Sequence, residues 1–248
     1  MSEKYDALCY PKNYIDVVIC KLDFASEISE LAKIMPKEIN NEIKKHFPIA
    51  EPQDIIGGEF QINGNDTPSY RKIIGKSWNF LSRNRKNKCT ITQNEILFTL
   101  NEYNTFEEFK EMLQDVFNGV FNKYGDGLSK RLGLRYVNII PLNGETDLIT
   151  DGLINFFKTF KGKDITRQII STEYSMSEKG FNVNQHCGYI NKDYPSIMKS
   201  DDFLIDIDAF TNSLLYPDDL VKMIDEMHEE IQDGFEAIIT EKLRAKMR

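Results

Sequence analysis

The sequence predicts an α+β fold, a mostly antiparallel sheet with helices on one side. Three observations lead there. Short segments rich in β-branched and aromatic residues follow one another across polar turns, as in "SWNFLS", "KCTIT" and "EILFTL", the pattern of an antiparallel meander. Two long stretches, 105–125 and 217–243, carry apolar residues at helical spacing. The order of elements in the first half returns in the second, so that each half reads β-α-β-β-(β)-α.

Taken in order, "YIDVVICKLDF" (14–24) is β-branched and apolar and reads as a central strand. "ASEISELAKIM" follows as a helix, with Ser26 as N-cap and Ile28, Leu31, Ile34 and Met35 on one stripe. Pro36 ends it and opens a second helix, "PKEINNEIKKHF", with Ile39, Ile43 and Phe47 four residues apart. The turn-rich "IIGGEFQINGNDTPSY" holds one short strand, "GEFQI", between glycines, and the three-strand meander comes next. Over 105–125, Thr105 and Glu108 form a capping box. Phe109, Leu113, Val116 and Val120 make the buried stripe, and Gly125 stops the helix.

In the second half "LRYVNIIPL" is a strand and "DGLINFFKTF" a short helix with Leu153, Phe156, Phe157 and Phe160. "TRQIISTEYSM", "NVNQHCGYI" and "FLIDIDAF" are three further strands. One helix, 217–243, then carries Leu220, Ile224, Met227, Ile231, Phe235 and Ile238 on one face. Residues 1–128 and 129–248 are thus expected as two pseudo-repeated halves of one full-length domain. A duplicated unit of this kind is similar to the saddle of TATA-binding-protein-like folds, an analogy of fold that carries no function.

The bulk numbers narrow the function classes. A net charge of −8 opposes phosphate backbones and anionic membranes, so nucleic acid could be met only through a local basic patch. No apolar run approaches the ~20 residues that span a bilayer. The opening residues lack a basic region followed by an apolar core, so no signal peptide is expected and a cytoplasmic location is. Cys9, Cys20, Cys89 and Cys187 have no C-x-x-C spacing and read as reduced thiols.

Few motifs carry chemistry. "IIGGEFQING" matches neither phosphate-binding fingerprint and reads as a tight turn. His186 and Cys187 alternate to opposite strand faces, while His46 and His228 fall on charged helix surfaces, so no metal site and no cofactor is expected. No nucleophile signature is present. "LIDIDAF" places Asp206 and Asp208 on one strand face about 7 Å apart, close enough to hold a cation or to do acid–base work. The plainer reading is a solvent-facing strand. The hairpin "SRNRKNKC" gathers Arg83, Arg85, Lys86 and Lys88 beside Trp78 and Phe80, a tip that could contact phosphates or simply protect an edge.

Arg135 is the anomaly. It interrupts the apolar run of "RLGLRYVNII", and a guanidinium there needs an acid or a ligand. Alternation sets Arg135 with Val137 and Ile139, and Leu134, Tyr136 and Asn138 on the other face. The expected partner is Asp206, Asp208 or Glu173. Arg135 and Asn138, the two aspartates and the four hairpin cations form the candidate binding set.

The order "YPKNYIDVVICKLDF", "SWNF", "YNTFEEFKEML", "RLGLRYVN" and "LIDIDAF" resembles a sporadically distributed prokaryotic family of about this length with no established biochemical activity. "RLGLRYVN" is the most specific element, and the basic hairpin departs from the rest of the pattern. The resemblance spans nearly the whole chain. It implies one full-length domain and a gene carried with mobile or defence loci, and supplies no catalytic residues. Two functions compete. One is a non-enzymatic binding or regulatory protein recognising a protein, or a nucleic acid through the hairpin, and able to oligomerise. The other is a metal-dependent enzyme using Asp206 and Asp208.

Overall fold

The computed structural model describes residues 10–60, 69–125, 129–160 and 162–248. Its strands are β1 (Ile15–Phe24), β2 (Ile49–Phe60), β3 (Ser69–Leu81), β4 (Asn87–Ile91), β5 (Glu95–Leu100), β6 (Ser129–Pro141), β7 (Gln168–Met176), β8 (Phe181–Tyr189) and β9 (Asp202–Thr211). The helices are α1 (Lys37–His46), α2 (Phe106–Tyr124), α3 (Asp151–Lys158), α4 (Pro217–Ile238) and α5 (Glu241–Met247). The fold is α+β, with one nine-stranded antiparallel sheet in the order β2-β3-β4-β5-β1-β6-β9-β8-β7. By packing, one compact unit holds Cys20–Leu132 and Ser213–Val221. The other holds the described residues up to Ile19, Gly133–Asn212 and Lys222–Arg248.

In the first unit the inward faces are set by period two. Cys20, Leu22 and Phe24 of β1, Cys89 and Ile91 of β4, and Ile96, Phe98 and Leu100 of β5 are buried. The stripe of α2 lies on them: Phe117 meets Phe98 edge-on at 6.1 Å between ring centres, and Phe121 meets Phe24 at 6.5 Å. Thr105 caps α2 by accepting from the Glu108 N–H at 3.2 Å, and Gly125 leaves it at φ +77°. Gly119 lets α1 approach closely, since a Cβ there would stand 3.1 Å from Glu42 Cγ.

Two expectations fail in this unit. The helix expected after Ser26 is only a 3-10 turn, Ser29–Ala32, because Pro36 sits too close for a full α-helical ladder to form. The Leu31 carbonyl instead accepts from Trp78 Nε1 at 2.7 Å. The turn-rich reading of 55–70 also gives way, since β2 is already extended from Ile49 and β3 begins at Ser69. Residues 61–68, including the end of "GEFQI", lie outside the described residues. Pro52 hid β2 from the pattern, yet it is tolerated because β2 is an end strand with one row of backbone groups unpaired among the described residues. The register slips once, between Ile55 and Ile56.

In the second unit Phe203, Ile205, Ile207 and Ala209 of β9 and Phe181 and Val183 of β8 are buried. Phe203 meets Phe157 of α3 at 5.8 Å, and Ile207, on the same strand face, lies against Gly234 of α4. Both helices therefore cover one face of these strands. The inward side of α3 is Ile154 and Phe157, whereas Phe156 and Phe160 are about half exposed. The helix expected to run to 243 breaks after Ile238. Thr240 N–H donates to the Leu148 carbonyl, its hydroxyl donates to the Asp147 carbonyl, and α5 starts anew. Consecutive β-branched residues at 238–240 weaken the helix where those acceptors compete.

Candidate functional site

The pleat of β6 sends Leu132, Leu134, Tyr136 and Ile140 into the core. Arg135 therefore leaves on the opposite face, away from α3 and α4. Its neighbour in the sheet is β9, whose even-numbered residues share that face. Arg135 grips Asp206 with two bonds, Nε to Oδ1 at 2.7 Å and a terminal nitrogen to Oδ2 at 2.6 Å. The fork is bidentate, the strongest geometry open to such a pair. Asp206 is only 8% exposed along its side chain, whereas Arg135 is 44% exposed. The hydrogen bond to Asp206, aided by the nearby charges of Asp206 and Asp208, raises the guanidinium's pKa further against desolvation.

Across β8 and β7 the rows level with this pair are polar. His186 of β8 stands opposite Asp206, Asn184 opposite Asp208, and Ser171 and Glu173 of β7 continue the rows. Asn184 Oδ1 is shielded from solvent and has no donor among the described residues. Glu173, one of the three expected partners of Arg135, lies three strands away, roughly 14 Å at the usual strand spacing. Asn138 is buried, with its strand neighbours Tyr136 and Ile140, on the helix-covered side, so it does not share the face of Arg135.

Other sequence expectations are relocated. His46 is only partly exposed: Nε2 lies 2.8 Å from Asp115 Oδ2, which with Glu38, Glu42 and Lys123 lines a groove between α1 and α2. His228 packs edge-on to Tyr136 at 5.8 Å. The basic hairpin is partly neutralised, with Arg85 paired to Glu51 and Lys86 to Glu102, whose carboxyl is lowered first by Lys86 and then by Asn84. Phe80 is buried and the Trp78 indole is tied to the turn at Leu31, so neither aromatic flanks an exposed tip. Arg83 and Lys88 have no carboxylate partner among the described residues.

No family model and no curated protein matches this chain. The site must therefore be read from its own chemistry. Among the described residues no three His, Cys, Asp or Glu side chains are grouped to hold a metal ion. Burial pushes the Cys20 thiol up to about 12 and raises Cys89 and Cys187 too, which keeps all three protonated and unreactive. What the sheet face offers is a fixed cation. Arg135 is held by a shielded carboxylate, with the half-buried aliphatic Val137 and Ile139 beside it along the strand. Sequence reasoning missed the unsatisfied Asn184, because nothing in "NVNQHC" signals which amide will lack a donor.

Proposed function

We propose that this protein is a non-enzymatic binding or regulatory component that recognises a protein partner through the helix-free face of β6, β9 and β8. The carrying observation is the Arg135–Asp206 fork. An arginine whose planar head is locked in place, with aliphatic neighbours and much of its surface still accessible, loses little entropy on contact. Arginines of this kind are enriched among the residues that dominate interfaces. A setting in a prokaryotic mobile or defence locus, implied by the family resemblance, suits such a role.

A protein fits better than a nucleic acid. The net charge is −8, and two of the four hairpin cations already have carboxylates. The metal-dependent alternative would need Asp206 to release Arg135 before it could ligate anything. The deciding experiment is capture from the host's own lysate with the tagged full chain, identifying both protein and nucleic acid. A specific protein retained by the wild type and lost with Arg135→Lys is expected, since lysine cannot form the fork. Co-purification of nucleic acid alone, or retention indifferent to position 135, would sink the reading.

A further inference from the structure

The two ends of the sheet are built differently. At one end β2 carries Pro52 and a register slip between Ile55 and Ile56, both devices that discourage a further strand from adding. At the other end β7 carries neither. Its nine residues pair with β8 from Gln168↔Tyr189 to Met176↔Phe181 without a break, and it contains no proline and no lysine. Gly188 draws it in tightly, since at φ +154° a Cβ there would stand 2.1 Å from the Gln168 carbonyl oxygen. The result is a regularly paired strand with an outer edge uncovered among the described residues. Unprotected edges of this kind pair with other strands.

We infer that β7 pairs antiparallel with β7 of a second copy, about a two-fold axis at Thr172. The sequence "QIISTEYSM" is self-complementary in that register. Thr172 meets Thr172, Ile170 meets Tyr174, and Ser171 meets Glu173, so the one charge of the strand never stands opposite its like. A threonine pair and β-branched–aromatic pairs are among the favourable cross-strand matches. Ile169, Thr172 and Glu173 are all exposed. The same pairing sets the Gln168 end of one strand against the Met176 end of the other. Gln168 Nε2 donates to the Phe157 carbonyl at 3.0 Å, which places α3, with its exposed Phe156 and Phe160, beside that end. Those rings supply the apolar area that a bare strand pair lacks.

The test is sedimentation equilibrium of the full chain over a wide concentration range. A reversible dimer is expected for the wild type. Thr172→Lys sets two ammonium groups across the axis and should yield monomer with an unchanged circular dichroism spectrum. A second readout does not depend on that variant folding well. In a Cys9→Ser background, Thr172→Cys should cross-link copies on mild oxidation and Ser175→Cys, off the axis, should not. A monomer at every concentration overturns the pairing, as does a dimer untouched by Thr172→Lys or cross-linking that is equal at the two positions.

Discussion

Parting Arg135 from Asp206 has unequal consequences for the two. Arginine at this position would still reach water, whereas Asp206 would remain a shielded charge with no counter-ion. Arg135→Ala should therefore destabilise the fold by about 1–3 kcal/mol, less than for a fully buried pair, measured by urea unfolding. Replacing both by apolar residues, Arg135→Met with Asp206→Leu, should recover most of that loss, and a double mutant as unstable as the single would contradict the argument. At the hairpin, Arg83 and Lys88 are the cations without a carboxylate partner among the described residues. Any low-salt affinity for DNA should fall on Arg83→Ala/Lys88→Ala and change little on Arg85→Ala, as read by fluorescence anisotropy. The need of Arg135 for an acid was legible in the sequence, because a guanidinium in an apolar run demands one. Which acid answers depends on strand order, a tertiary fact that alternation within one strand cannot supply.

Among the elements, α2 was readable because its signals are local: a capping threonine, a stripe at four and three residues, and a terminal glycine. Thr105→Ala should cost about 1 kcal/mol, visible as a lower thermal midpoint. Of strand β2 only the end, residues 58–60, was readable, since Pro52 and paired glycines imitate a loop and pairing with β3 makes the rest extended. Likewise α5 owes its separate existence to distant groups, with Lys242 and Lys246 both bonded to Glu145. Those two hydrogen bonds depress the Glu145 carboxyl from 4.5 to about 2. A depressed carboxyl contributes its stabilisation above the unfolded pKa and loses it as pH falls through the folded one. The hold on α5 should thus be intact above about pH 4.5 and gone near pH 2. Hydrogen exchange at Leu243 and Met247 should quicken across that window, and Glu145→Gln should abolish the dependence.

At the scale of the whole molecule, the packed units do not follow the chain in sequence. The unit that holds most of β6 also takes residues up to Ile19, while Cys20 onward belongs to the other. A polypeptide cut between 128 and 129 is expected to give two fragments that are each incompletely folded alone and regain circular dichroism when mixed. Fragment 129–248 folding unaided, with its own cooperative melt, would count against this. Strand β1 lies between β5 and β6 in the sheet, so its two sides are completed by segments far apart in the chain. That position has a consequence for synthesis. Strand β1 leaves the ribosome before either neighbour: it is joined on one side only when β5 has emerged, and on the other only after β6 follows. Strands β2 to β5 can zip up locally in the meantime, but β1 waits half-finished through the translation of α2. Its apolar "VVIC" run is then the natural place for a chaperone to bind the nascent chain.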